Sequence, residues 1–157
     1  MVCISFPVPI FLCTCIGEWT INIFSFLHYT TTLLLRRWNE EQGPKTTIPI
    51  SKRLSRETIE KITKLFLPLL LFGIFGKDNQ TLDMAQVSLK QLCWLCPSIA
   101  FPGIIPKLVP ALETLTEAHR TSAALTTLCL LSPSMLKKDH YPSAMQHFVT
   151  FLHLAIP

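Results

Sequence analysis

Charge is what this sequence is shortest of: Asp, Glu, Lys and Arg together supply 15% of its 157 residues against 49% hydrophobic, and its mean hydropathy is +0.39. That scarcity excludes a free-standing globule that covers all of its own apolar surface. A membrane or a larger protein body must cover part of it. Catalytic signatures are missing as well. There is no phosphate-binding loop, no dinucleotide-binding glycine fingerprint, no pair of carboxylates set for acid–base work and no nucleophile elbow, so the chain reads as a non-enzyme with no cofactor and no metal. The six cysteines, Cys3, Cys13, Cys15, Cys93, Cys96 and Cys129, are too sparse for a secreted disulfide scaffold. Most lie in apolar runs, where a reduced thiol acts as a small hydrophobe, which points to the cytosol or nucleus. No basic leader or small-residue cleavage site marks a signal peptide, and no strand signal competes with the helical ones.

From Met1 to Leu35 the only charge is Glu18, and the uncharged runs on either side of it are 17 residues each, with Pro7 and Pro9 in the first. That is the short limit for crossing a bilayer. A helix between Trp19 and Trp38, with Ile23, Phe24, Leu27, Leu34 and Leu35 inward and Arg36 and Arg37 near its negative end, is the preferred reading. The alternative is a small helical protein anchored to a membrane by residues 1–35.

Residues 39–54 read as a linker, because Gly43, Pro44 and Pro49 interrupt any period. Ser55 then suits an N-cap, with Glu57 in the first turn and Leu54 and Ile59 at staple spacing. Ile59, Ile62, Leu65, Leu69 and Phe72 mark one helical face, Pro68 predicts a kink, and Gly73 and Gly76 end the helix. Thr81 is expected to cap a second helix with the stripe Leu82, Ala85, Leu89, Leu92 and Cys96, closed by Pro97. Pro102, Pro106 and Pro110 delay the next helix until after Pro106, with Leu108, Leu112 and Leu115 inward. Another is expected to start at Thr116, with Ala124, Leu125, Leu128 and Leu131 inward and Pro133 stopping it. A last one opens at Pro142 with Met145, Phe148, Val149, Leu152 and Ile156.

Paired antiparallel helices with stripes too wide for each pair to cover stack sideways, so the predicted fold is all-α: an α-solenoid of HEAT or armadillo-like pairs. Ile59 and Ile104 are 45 residues apart and Thr81 and Thr116 are 35 apart, straddling the ~40–47 of such repeats. The chain divides into an atypical N-terminal segment, residues 1–18, and a HEAT-like repeat segment, residues 19–157.

Three clusters invite chemistry. Cys93-Trp-Leu-Cys96 has redox or half-zinc spacing, but it falls at the C-terminal end of a helix, where the dipole raises a thiol pKa, and Cys13 with Cys15 is a weak complement. His28, His119, His140, His147 and His153 lack an accompanying nucleophile, and His147 and His153 lie on different faces of their helix. Eight basic residues fall between Arg36 and Lys64. Among them Lys45, Lys52, Arg53 and Arg56 form a basic cluster, the pattern either of a site for an anionic partner such as a phosphate-rich ligand or of a solvated helix face and loop; the second is the preferred reading, with no direct nucleic-acid role.

The segment Pro110-Ala-Leu-Glu-Thr-Leu-Thr-Glu-Ala-His119, continuing Arg120-Thr-Ser-Ala-Ala-Leu125, resembles the giant single-chain HEAT-repeat proteasome activators, the proteasome activator complex subunit four family. The similarity extends more loosely to Leu33–Trp38, Lys52–Ser55, Gln86–Leu92, Tyr141-Pro142 and His153–Pro157. The resemblance implies a piece of a far longer solenoid, curled into a dome that caps the proteasome core particle and opens its gate without ATP or ubiquitin. It also implies degradation of peptides and acetylated histones, a place in nucleus and cytoplasm, and roles in DNA repair and sperm development. This chain would be a scaffold arc of the dome, held by neighbouring HEAT repeats, and reads as a fragment or truncated gene model. The family docks through a C-terminal hydrophobic-tyrosine-any-residue tail, whereas this chain ends Ala155-Ile156-Pro157. The acetyl-lysine reader region is not covered, and no residue matches the family's inositol-phosphate ligands. No functional residue is therefore carried over. A generic HEAT-like adaptor is the remaining alternative.

Overall fold

The computed structural model describes residues 18–44, 46–113 and 117–136. These form five helices, α1 (Glu18–Gln42), α2 (Arg56–Gly73), α3 (Asn79–Leu95), α4 (Pro97–Glu113) and α5 (Ala118–Met135), with one 3-10 turn at Ile50–Lys52. No strand occurs among the described residues. The last helix expected from Pro142 and the start expected at Thr116 lie outside them.

Two helix pairs, α2–α3 and α4–α5, stack side by side. In one layer α2 packs on α4; in the other α3 packs between α1 and α5, and α3 touches every other helix. Equivalent starts fall at Arg56 and Pro97, 41 positions apart, and at Asn79 and Ala118, 39 apart. That is a more even offset than the sequence pattern suggested, close to the ~40–47 of HEAT and armadillo units. The fold is an all-α solenoid segment.

Local chemistry sets most boundaries. Ser55 Oγ accepts from Thr58 N at 3.1 Å and caps α2, while Leu54 and Ile59 both join the core. α2 ends at Gly73, where close packing demands glycine: a methyl group there would overlap the Phe24 ring of α1 and lie 3.0 Å from the Ala85 methyl of α3. At α3 the cap is Asp78 rather than the expected Thr81. The Asp78 carboxylate accepts from Thr81 N at 2.7 Å, so Thr81 supplies the capped donor and its side chain is buried. A carboxylate at the positive helix end gains from the dipole as well as the hydrogen bond. Hydrogen bonding from Thr81, its side chain ahead of its backbone N–H, holds the Asp78 pKa below the ordinary carboxylate value.

The core runs through α3 and α4. Leu89, Leu92, Cys93, Phe101, Ile104 and Leu108 are fully enclosed, and each large aliphatic among them contributes about 1.5–3 kcal/mol on burial. Two polar ties fix how α3 sits between its layer neighbours. Towards α5, Gln86 Nε2 donates to Thr127 Oγ1 at 3.0 Å and to Ala123 O at 3.2 Å. Towards α1, Thr31 Oγ1 donates to Gln91 Oε1 at 2.6 Å and Gln91 Nε2 donates to Thr32 Oγ1 at 2.9 Å. Ser25 Oγ lies 3.4 Å from Met84 Sδ earlier along the same two helices, so α1 and α3 run parallel.

Four expectations need correction. α1 continues through Asn39, Glu40, Glu41 and Gln42, shortening the linker, because Arg36 pairs with Glu40 and Arg37 with Glu41 at i, i+4 spacing. α4 starts at Pro97, not after Pro106, and carries Pro102, Pro106 and Pro110 within it. α5 passes through Pro133 to Met135; the carbonyl that this proline cannot serve, Cys129 O, instead accepts from Ser132 Oγ at 2.8 Å. Finally, the inward face of α2 is Ile59, Thr63, Phe66, Leu67 and Leu70, while Leu65, Leu69 and Phe72 are exposed, as are Leu125 on α5 and Ile23 on α1, both expected inward.

Candidate functional site

The chemical candidates resolve first. Cys93 and Cys96 are buried, and burial, reinforced by the neighbouring Cys96, pushes the Cys93 thiol far above its ordinary pKa. A thiol so held stays protonated and is a poor nucleophile or metal ligand. Among the described residues no group of three or more metal-binding side chains converges, and Cys3, Cys13 and Cys15 fall outside them. His119 is exposed, with Nε2 2.9 Å from Gly76 O. His28 lies half-buried on α1. His140, His147 and His153 are outside the described residues.

The basic cluster does not converge on a ligand. Arg53 Nε donates to Ile48 O at 3.0 Å, Arg56 lies 3.7 Å from Glu60 across one turn, and Lys52 offers its carbonyl to Arg37 Nη2 at 2.8 Å. Lys45 is not among the described residues. The chemistry here is a clip. Glu41, buried to 1% exposure, accepts from Arg37 Nε at 2.7 Å and from Leu54 N at 2.6 Å, tying the end of α1 to the start of α2. Burial would raise its pKa, but the bonds from Arg37 and Leu54 outweigh that and hold it below the usual value of 4.5. A carboxylate held low stabilises the fold above the unfolded-state pKa, and that contribution is lost as pH falls through the folded value. In urea titrations the midpoint of Glu41→Gln should therefore lie below that of the parent chain near neutral pH, and the gap should close as pH falls below about 4.5. A gap unchanged with pH would show that ionised Glu41 carries none of the stability.

Two surfaces remain. One is a flank of exposed apolar stripes. On α1, Trp19 (82% exposed), Ile23, Phe26 and Leu33 recur at helical spacing away from α3, and on α2, Leu65 (67%), Leu69 (46%) and Phe72 do the same. The α2 stripe lies on the helix face opposite Leu67, the residue that meets Gly103 of α4. In a two-layer stack that is the place of the preceding helix in the α2–α4 layer. No sequence signal separated this stripe from the buried one, since residues 65–72 are apolar all round. The other surface is a groove of ≈1220 Å3 over α2 and α4, with Lys64, Lys77 and Lys107 among its walls. Among the described residues no helix is long and apolar enough to cross a membrane.

Comparison with known proteins places this architecture. Residues 11–157 match the family model for proteasome activator complex subunit 4, mid HEAT repeats region; the match takes in residues 11–18 of the stretch read as atypical. The chain is 27% identical over 146 residues to proteasome activator complex subunit 4B of Danio rerio, and 27% and 26% identical over the same length to the subunit 4 proteins of Xenopus laevis and Homo sapiens. Each alignment covers 90% of this chain and 8% of the relative, so the chain spans under a tenth of the length of the proteins it resembles. No solved structure matches at a significant level. With its stacked helix pairs and a family match across nearly its whole length, the chain belongs to the proteasome activator complex subunit 4 family, in the mid HEAT-repeat region.

Proposed function

We propose that this chain is a scaffold arc of a proteasome activator: a short run of HEAT pairs that sets curvature and surface within a longer solenoid and performs no chemistry of its own. The observation that carries this reading is the unpartnered flank. Trp19, Ile23, Phe26 and Leu33 on α1 and Leu65, Leu69 and Phe72 on α2 are all exposed, and apolar stripes of this kind on a repeat protein are surfaces for the next repeat. Within the parent solenoid, the arc supports a cap on the proteasome core particle that admits peptides and acetylated histones without ATP or ubiquitin, in nucleus and cytoplasm. The names of the relatives, all proteasome activator complex subunit 4 proteins, support the assembly with the proteasome.

The test pairs two measurements. Purified chain added to core particles with a fluorogenic peptide should leave the cleavage rate unchanged, whereas a full-length relative stimulates it. The same chain fused after the repeat that precedes the matched region in the relative should melt at higher temperature and show less binding of a hydrophobic dye. Stimulation by the chain alone, or a fusion no more stable and no less dye-binding than the chain, would refute the scaffold reading.

A further inference from the structure

The groove over α2 and α4 has a floor and a rim of different chemistry. Leu67, Leu71, Ile99 and Pro106 supply an apolar floor, and Lys64, Lys77 and Lys107, one from each of α2, the α2–α3 turn and α4, stand exposed around it. The other charges nearby are already committed. Asp78 is turned inward onto Thr81 N to cap α3. Arg120 lies 3.7 Å from Glu117 and stacks with its guanidinium 4.8 Å from the centre of the Phe75 ring. None of the three lysines takes part in an ion pair among the described residues, and against Asp78, the one carboxylate in the lining, they leave a net positive charge above an apolar trough.

We propose that this groove docks an acidic, amphipathic segment of a partner protein, with apolar side chains on the floor and carboxylates against the three lysines. At ≈1220 Å3 the groove exceeds the ~300–1,000 Å3 of ordinary small-molecule sites. The span from Lys64 to Phe72 along α2 is about 12 Å, room for roughly two turns of a partner helix. Apolar anchors supply the affinity in such a mode, and the charged rim selects the sign of the partner and speeds its approach. Phe72 of the α2 stripe also lines the groove, but the scaffold test reads the flank as a whole and the peptide test reads the three lysines, so the two readings can fail separately.

The experiment is fluorescence anisotropy on the whole chain with two labelled peptides that share leucines at i, i+3, i+4 and i+7 and carry either glutamates or lysines elsewhere. The glutamate peptide should bind at least about tenfold more tightly than the lysine peptide, and Lys64→Glu with Lys107→Glu should weaken it by about tenfold or more. The double variant should keep the parent's melting temperature and bind the lysine peptide better. Serine in place of the leucines should abolish binding. Equal affinity for both peptides, unchanged binding by the double variant, or binding that survives loss of the leucines would overturn the proposal. So would phosphatidylserine vesicles captured through the same lysines while the glutamate peptide stays free.

Discussion

Replacing Phe101 with alanine is expected to lower the stability of this chain by about 3–5 kcal/mol, the range for deleting a fully buried aromatic ring. Phe101 is wholly enclosed on the inner face of α4, the helix that meets α2, α3 and α5 at once. Neighbouring Ala100, Ile104 and Leu108 are equally enclosed, so the hole cannot collapse without moving a helix, and the cavity adds to the lost transfer energy. Against a total of roughly 5–15 kcal/mol for a domain of this size, the variant should shift the urea midpoint far down or fail to accumulate as folded protein. Leu69→Ala, on the exposed α2 stripe at 46% exposure, should cost less than about 1 kcal/mol in the same assay. Equal losses at the two positions would mean that the inward and outward faces of α2 and α4 are misassigned.

That comparison bears on what was readable in the sequence. The joints were: Ser55 and Pro97 act through local chemistry, a hydroxyl cap and a missing N–H, which neighbours in the fold hardly alter, and Gly73 is legible as a helix end although the packing of Phe24 and Ala85 is what demands it. The inward stripe of α3 was readable because polar residues such as Asp83, Lys90 and Gln80 bracket Ala85, Leu89 and Leu92. The face of α2 was not. From Leu65 to Phe72 only Pro68 interrupts an apolar run, so period alone cannot choose between Leu65-Leu69-Phe72 and Phe66-Leu67-Leu70; the positions of α3 and α4 decide it. The Asp78 cap was missed in favour of Thr81 because both are good capping residues and only the backbone shows which one stands outside the helix.

The candidate surfaces divide in the same way. The cysteine pair and the basic cluster were visible as strings of letters, and the structure buries the pair and spends Arg37, Arg53 and Arg56 on local partners. The groove was invisible because Lys64, Lys77 and Lys107 come from three elements with no spacing in common. The Glu41 clip joins residues 13 apart across a loop, and a lone glutamate near the end of a helix gives no sign that a backbone N–H will be delivered to it.

Converting Pro102 and Pro106 together to alanine should stabilise the chain by about 2–4 kcal/mol, less than the ~3 kcal/mol per site that separates proline from alanine in a helix interior. Both are exposed on α4 four residues apart, and their rings oppose the carbonyls of Ser98 and Pro102, so each costs a hydrogen bond and strains the turn before it. α4 forms regardless because its opposite face buries Phe101, Ile104, Ile105 and Leu108. Placing the rings on the solvent side lets the displaced carbonyls turn to water. The gain stays below the full difference because the displaced carbonyls already turn to water and because alanine frees the unfolded chain, the latter by about 0.4–1 kcal/mol per site. Thermal melts and urea midpoints should both rise. Pro106 also lines the groove, so the stabilised variant should bind the glutamate peptide more weakly, raising stability while lowering binding. A double variant less stable than the parent would mean that the ring contacts are worth more than the hydrogen bonds they displace.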